Sequence, residues 1–264
     1  MINFINQALF TIHVVNHSTV DSSWSKTVFP YPNHRIYFIT DGEADLYLVD
    51  KYIKLKKGNM YLLPAFKMVE TICKNLFSHY YLHFQQSSNQ LFNLFDLHNT
   101  KVEVVVDDTL FIGSLFEKVK ENYNSNTINS ILALQGSLQL LLAPFFENVS
   151  DIDPNIQRFF KVIEHINLHI SEDISIDSLS EIVNLNTVYF SNVFSKTFNI
   201  SPKQYIIEKR LELAQLLLAN TLYTVKQIAI KSGFRDDKYF SKLFKSKINM
   251  TPIEYRTIVN NTNL

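Results

Sequence analysis

Residues 189–205 read YFSNVFSKTFNISPKQY, and residues 239–255 read YFSKLFKSKINMTPIEY. At matching offsets both segments carry Tyr-Phe-Ser, a later phenylalanine, an asparagine, a proline and a final tyrosine, and Val193 corresponds to Leu243. Self-similarity of this density indicates two copies of one structural unit. The preceding residues also match, since Leu179-Ser180 aligns with Ile228-Ala229 once one residue is inserted in the turn of the second copy.

Each copy is predicted to fold as a helix, a tight turn and a second helix. Ser180 and Ala229 are small enough to lie beneath the second helix, and Gly233 suits the left-handed backbone that a short connection needs. On the second helices one stripe is apolar and is predicted to be buried: Phe190, Val193 and Phe194 in the first copy, and Phe240, Leu243 and Phe244 in the second.

The opposite stripe of each second helix is predicted to contact DNA, because the second helix of such a unit enters the major groove. It consists of Thr187, Val188, Ser191, Asn192 and Ser195 in the first copy, and Asp237, Lys238, Ser241, Lys242 and Lys245 in the second. The alternative is a helical bundle with a polar surface and no nucleic-acid partner. It is disfavoured because both copies pair an aromatic core stripe with a hydrogen-bonding face.

The charge distribution supports a polyanionic partner for the end of the chain. The net charge is zero, but residues 1–195 hold 13 basic and 20 acidic residues, whereas residues 196–264 hold 12 basic and 5 acidic ones. The first part is therefore at −7 and the second at +7. Lys and Arg side chains placed near phosphates release condensed counterions, which favours binding to nucleic acid.

The second half of the chain reads as helical throughout. A helix is predicted over 156–169, and further helices begin at Asp177, at Asn186 or Thr187, at Pro202 (ending near Leu218), at Thr224, at Asp236 or Asp237, and at Pro252, because such residues cap helices or occupy their first turn. The Asn-, Asp- and Ser-rich stretch at 149–155 is predicted to be a linker between domains 1–148 and 156–264.

The C-terminal pattern resembles the AraC/XylS family of transcription regulators. The matching residues are Arg210, Ala214, Leu217-Leu218, Ile228-Ala229, Gly233-Phe234, Tyr239-Phe240-Ser241, Phe244-Lys245, Thr251-Pro252 and Tyr255-Arg256. The resemblance implies two helix-turn-helix subdomains, joined by the long helix, that read successive major-groove segments on one DNA face. Asn199 and Asn249 replace the glycine usual in the family, and the first copy lacks basic residues at Asn192 and Ser195.

The first half alternates short apolar runs with turn residues, which predicts an antiparallel sandwich or barrel. Strands are expected over 10–16, 36–40, 44–49, 60–63 and 80–84. Leucines at helical spacing then predict a helical hairpin that ends near Pro144. Residues 34–64 resemble the cupin-type barrel of many family members, which implies an effector sensor followed by helices that form a dimer contact. The fold class is therefore α+β, with a cupin-like barrel and hairpin before an all-α domain.

An effector pocket in this barrel is predicted from strand alternation and residue type. Its candidate residues are Arg35, Tyr37, Tyr47, His79, Tyr81 and His83. The other class of function considered is a cupin-type enzyme or small-molecule binding protein with a helical assembly tail. A metal-dependent cupin needs several converging ligands, and no His-x-His pair occurs in the sequence, so no metal, cofactor or catalytic activity is predicted.

The remaining expectations concern partners and location. Cys73 is the only cysteine, which fits a reducing compartment, and the run 131–146 is too short for a membrane span. A cytoplasmic, DNA-binding transcription activator is predicted, with double-stranded DNA, RNA polymerase and a small effector as partners, and a homodimer as the assembly. A regulator without an effector, controlled by a protein partner or by dimerisation through 131–142, remains open.

Overall fold

The computed structural model describes residues 10–27, 32–49, 51–86, 95, 100–146 and 154–262. The chain divides into two compact units, one within residues 5–150 and one that includes residues 151–264. The predicted linker 149–155 lies outside the described residues except at its last two positions.

The first unit contains antiparallel strands in two separate sheets. The strands are β1 (Phe10–Val20), β2 (Lys26–Thr27), β3 (His34–Asp41), β4 (Glu43–Leu48), β5 (Tyr52–Lys56), β6 (Asn59–Leu63), β7 (Met68–Ile72), β8 (Phe77–Gln86) and β9 (Glu103–Val105). One sheet has the order β1-β8-β3-β6-β9 and the other β2-β7-β4-β5. The described strands thus form two sheets that are not closed into a barrel, an arrangement compatible with the predicted cupin-like class.

One buried cluster of this unit is formed largely by alternate residues of both sheets. It consists of Tyr37, Ile39, Ala44, Leu46, Leu48, Ile53, Leu55, Tyr61, Leu63, Met68, Cys73 and Phe77. Side chains of a strand point alternately to its two faces, so Ala44, Leu46 and Leu48 face inward while Asp45 and Tyr47 face outward. This alternation decides which predicted pocket residues share a face.

A helical hairpin follows the strands, as predicted. Helix α1 spans Thr109–Asn122 and α2 spans Ile128–Leu142, and their N-termini are capped by the side chains of Asp108 and Thr127. The Gln135 side chain accepts a hydrogen bond from Phe10 N at 3.1 Å and donates one to Phe10 O at 2.7 Å. These two bonds attach α2 to the first residue of β1.

The second unit is helical throughout its described residues. Its helices are α3 (Pro154–Leu168), α4 (Ile176–Ile182), α5 (Thr187–Phe198), α6 (Pro202–Asn220), α7 (Val225–Lys231), α8 (Asp237–Ile248) and α9 (Pro252–Thr262). The side chains of Ser175, Asn186, Ser201, Thr224 and Asp236 accept backbone N–H groups at the starts of α4 to α8, as N-cap residues do. These boundaries agree with the predicted starts to within about two residues.

Candidate nucleic-acid interface

Helices α4 and α5 form the first helix-turn-helix unit. Ser180 is buried under α5, as predicted, and its carbonyl accepts a hydrogen bond from Leu185 N at 3.0 Å across the turn. Asn184 occupies this turn with φ +53°, a left-handed conformation that asparagine tolerates better than most residues. The Thr187 hydroxyl donates to Asp177 Oδ1 at 2.6 Å, which ties the start of α5 to α4.

Helices α7 and α8 form the second helix-turn-helix unit, which also has a small buried residue on its first helix and a hydrogen bond across its turn. Ala229 is fully buried, and Phe234 N donates to Ala229 O at 2.8 Å across the turn. Gly233 has φ +84°, so the left-handed turn predicted from the sequence is confirmed.

An aromatic core supports each second helix. Phe190 and Phe194 pack with Phe159 of α3, with ring centroids 5.7 and 5.4 Å from it. Phe240 and Phe244 have centroids 5.6 Å apart and are fully buried. Both second helices end at an asparagine in the left-handed conformation, Asn199 at φ +57° and Asn249 at φ +61°.

The predicted DNA-contacting residues of α8 lie on its outer surface. Asp237, Lys238, Lys242 and Lys245 are exposed, and Ser241 is half-buried with its hydroxyl donating to Asp237 O at 2.8 Å. Three lysine ammonium groups are therefore available to phosphates along this helix. Asp237 places one negative charge in the first turn of the same helix.

The corresponding residues of α5 present fewer free polar groups. Val188 is 72% exposed and Asn192 is exposed, whereas Ser191, Ser195 and Thr187 are half-buried. The bond from the Thr187 hydroxyl to Asp177 holds the start of α5 against α4. To contact a base as well, this hydroxyl would need a second hydrogen bond, in which it accepts. Asn192 is the exposed polar side chain of this predicted set.

The structure also exposes a tyrosine on each second helix that sequence reasoning left outside the DNA-contacting set. Tyr189 is 52% and Tyr239 is 53% exposed, at equivalent positions of the two copies. Both tyrosines begin the repeated Tyr-Phe-Ser motif, next to a buried phenylalanine, and this repetition could have identified them from the sequence. On a helix, two successive residues point in directions about 100° apart, so burial of the second does not bury the first.

Five of the six predicted pocket residues come together on the inner face of β3 and β8. Tyr37 pairs with Tyr81 and Arg35 with His83 in the antiparallel register, and the His79 ring lies 5.2 Å from the Tyr37 ring. Tyr47 does not join them, because it lies on the outer face of β4, where its ring contacts Tyr52 at 5.2 Å.

Burial disfavours the charged forms of three side chains in this group, His79, His83 and Tyr37. Burial lowers the pKa of His79 to about 4, with a smaller contribution from the charge of His17. Burial also lowers the pKa of His83, assisted by Arg35, and raises the pKa of Tyr37. Trp24, which the sequence did not single out, lies beside this group with its ring 5.6 Å from that of His79.

Metal sites and membrane-spanning segments are two further features that bear on the function. Among the residues that the structure describes, no group of three or more His, Cys, Asp or Glu side chains lies close enough to hold a metal ion. One helical segment, Ile128–Phe146, is long and apolar enough to span a membrane by length and composition. It contains α2, which buries Leu138, Leu141 and Leu142, and core helices of water-soluble proteins also meet that criterion.

The amino-acid sequence of this chain is similar to those of known transcription regulators. A family model described as a helix-turn-helix domain matches residues 179–258. The Msm operon regulatory protein of Streptococcus mutans is 23% identical over 256 residues, covering 87% of this chain and 86% of that protein. The lactose operon transcription activator of Staphylococcus xylosus is 25% identical over 232 residues, covering 84% and 82%. These relatives are regulators and not enzymes.

Solved structures of ToxT share the fold of this chain over most of its length. ToxT from Vibrio cholerae O395 is 15% identical with a TM-score of 0.60, covering 95% of this chain and 98% of that one. Unsaturated fatty acid bound wild-type ToxT from Vibrio cholerae is 17% identical with a TM-score of 0.56, covering 95% of each chain. The likeness confirms the predicted fold class, a β-rich domain followed by a helical helix-turn-helix domain.

Proposed function

Because this chain belongs to the AraC/XylS family of DNA-binding transcription regulators, we propose that α5 and α8 read two adjacent major-groove segments with different chemistry. The observation that carries this proposal is the contrast between their exposed faces. Helix α8 presents the three lysines Lys238, Lys242 and Lys245, whereas α5 presents Asn192 and Val188 and carries a single exposed lysine, Lys196, in its last turn. Lysines neutralise phosphates independently of sequence, whereas an asparagine amide pairs with a base edge. Helix α8 supplies electrostatic affinity, and α5 supplies uncharged contacts with bases.

Paired substitutions on the two helices test this division. We expect Lys242→Ala to weaken binding to all DNA sequences and to reduce the slope of log affinity against log salt by about one, because one phosphate contact is lost. Asn192→Ala should leave that slope unchanged and reduce the preference for the specific sequence. The measurement is a salt-dependent binding titration on a promoter fragment and on unrelated DNA. Equal affinity of Lys242→Ala and the unsubstituted protein at every salt concentration would remove α8 from the interface.

The first domain, 1–148, is proposed to sense a small effector through Arg35, Tyr37, His79, Tyr81 and His83. Support comes from their common inner face and from the fatty acid that the structurally similar ToxT binds. Trp24 provides the readout, since it is the only tryptophan and its ring lies 5.6 Å from His79. Titration with an unsaturated fatty acid and with lactose should change Trp24 fluorescence for one of them, and Tyr37→Phe should weaken that response. No response to either would favour control without these effector classes.

The hairpin of the same domain is proposed to form a homodimer. Large apolar side chains project into solvent along it: Leu110 at 85% exposure, Ile128 at 80%, Leu132 at 67%, Leu140 at 51% and Ile131 at 50%. Leucine and isoleucine at this density on one hairpin favour association, because burying them removes apolar area from water.

A charge placed in that face tests the dimer. Leu132→Lys should convert a dimer into a monomer, measured by light scattering after size-exclusion chromatography at micromolar protein concentration. Leu76→Lys is the control, because Leu76 is an equally exposed leucine, at 69%, outside the hairpin. If both variants have the mass of the unsubstituted protein, the hairpin does not form the dimer contact.

The cellular role that follows is transcription activation in the cytoplasm, without catalysis. The activator assignment rests on the lactose operon activator among the relatives, and it implies a contact with RNA polymerase. In vitro transcription from a bound promoter, with and without the protein, tests it directly. An increase in transcript supports activation, and a decrease would make the protein a repressor.

A further inference from the structure

The turn between α3 and α4 reaches from the first helix-turn-helix unit to the second. Residues 169–175 leave α3 and lead into α4, so by sequence they belong to the first unit. Their polar groups nevertheless bond to α6 and to the turn between α7 and α8. This turn, together with Arg210 and residues 231–235, is called the inter-unit brace.

Arg210 is the centre of the brace. It lies on the long helix α6, and its Nε donates to Ile170 O at 3.0 Å while a terminal nitrogen donates to Glu172 O at 2.6 Å. The side chain is half-buried. A guanidinium that donates to two carbonyls of one turn fixes both the position and the orientation of that turn, because its donors have a rigid planar geometry.

Further contacts connect the turn with the second helix-turn-helix unit. The Ser171 hydroxyl donates to Lys231 O at the end of α7. Arg235, just before α8, pairs with Asp173 at 2.7 Å. A Cβ at Gly233 would lie 2.3 Å from Ile170 O and 2.7 Å from Arg210 Nε, so the backbones of the two units approach as closely as glycine permits.

We propose that the inter-unit brace sets the distance and rotation between α5 and α8, and thereby the number of base pairs that the protein accepts between its two half-sites. One inserted base pair moves the second half-site by about 3.4 Å along the DNA and rotates it by about 35°. Two rigidly connected reading helices cannot follow that displacement, whereas two units joined by α6 alone could bend toward it. Arg210 is a positioning residue in this scheme, since it acts through the turn and not on DNA.

The test measures tolerance to spacing. A DNA site is first selected from a random-sequence library with the unsubstituted protein, and versions with one base pair added or removed between its two halves are then compared. We expect the unsubstituted protein to lose at least about tenfold in affinity for the altered spacings. Arg210→Ala should reduce this loss to within about threefold while keeping the preference for each half-site sequence.

Two companion variants separate positioning from general damage. Ser171→Ala combined with Asp173→Asn removes exposed brace contacts without touching α6, and it should also widen the accepted spacing. Arg256→Ala is the matched control, because its guanidinium donates to Tyr223 O and so ties α9 to the residues just before α7, without involving the first helix-turn-helix unit. It should leave the spacing preference unchanged. If Arg210→Ala fails to fold, the double variant decides the outcome.

A second measurement needs no DNA. Spin labels at Lys196→Cys and Ser246→Cys occupy equivalent exposed positions of the two copies, and Cys73 is buried and stays in place. Double electron–electron resonance should give a narrow distance distribution that Arg210→Ala broadens. The proposal is wrong if the brace variants keep both the distribution and the spacing preference of the unsubstituted protein. Absence of any DNA site would contradict the function instead, and the distance distribution would still test the brace.

Discussion

Gly233→Ala should lower the free energy of unfolding of the C-terminal unit by about 3 kcal/mol or more. Two effects combine. The left-handed backbone at φ +84° costs a non-glycine residue about 1–2 kcal/mol. The added Cβ would also lie 2.3 Å from the backbone oxygen of Ile170, and such overpacking typically costs about 1–3 kcal/mol. Denaturant unfolding followed by far-UV circular dichroism measures the loss.

Gly58→Ala is the control that separates the two effects. Gly58 has φ +83°, but nothing lies within 4 Å of the position its Cβ would take. It should therefore show the backbone cost alone, measured by Trp24 fluorescence in its own unit. If Gly233→Ala destabilises its unit no more than Gly58→Ala does, the backbone at Gly233 does not approach Ile170 as closely as described.

Acidification should destabilise the N-terminal unit by about 3 kcal/mol through His79 alone. The pKa of His79 falls from 6.5 to about 4 on folding because burial disfavours the imidazolium. Below pH 6.5 the unfolded chain therefore binds a proton that the folded one does not, so stability is complete above 6.5 and falls until about pH 4. Each pKa unit corresponds to about 1.4 kcal/mol. His83, whose pKa is also lowered, acts in the same direction.

Trp24 fluorescence during urea unfolding at a series of pH values measures this dependence. His79→Phe keeps an aromatic ring among Trp24, Tyr37 and Phe77 and removes the titrating group. Its unfolding free energy should fall less steeply between pH 6.5 and 4. A slope equal to that of the unsubstituted protein would show that His79 is not held neutral.

Local sequence signals predicted the C-terminal fold well. The repeated Tyr-Phe-Ser segments located both second helices, and the cap residues Asn186 and Asp236 located their starts. Thr224 located the start of α7 in the same way, because capping depends on residues within one turn. Gly233 was correctly assigned to a left-handed turn for the same reason. The aromatic stripes were predicted from helical periodicity, which reports burial directly when one face of a helix is covered.

The N-terminal unit was predicted less completely because its pairing is non-local. The strands β2, β5, β7 and β9 were not predicted. Strand β2 has only two residues, and β9 has three and is defined by its pairing with β6. Tyr47 was grouped with the inner-face residues because its strand's orientation depends on the partner sheet. The register of β3 and β8 brought the other five candidates together, and nothing local to either strand encodes that register.

The contacts of the inter-unit brace could not be predicted from the sequence, for a different reason. Arg210 was recognised only as part of a family pattern, and its acceptors are backbone carbonyls some 40 positions away that any residue type could supply. The structure thus gives a spatial reason for two residues, Arg210 and Gly233, whose patterns alone suggest only a helix and a turn.

A hydroxyl-radical footprint on the selected DNA site tests the central claim most directly. With both α5 and α8 in successive major-groove segments, we expect two protected tracts on one face of the duplex, centred about 10 base pairs apart. Lys242→Ala should weaken protection of the tract read by α8 more than that of the other. One protected tract, unaffected by Asn192→Ala, would contradict the account, because a single helix-turn-helix unit would then carry all the binding.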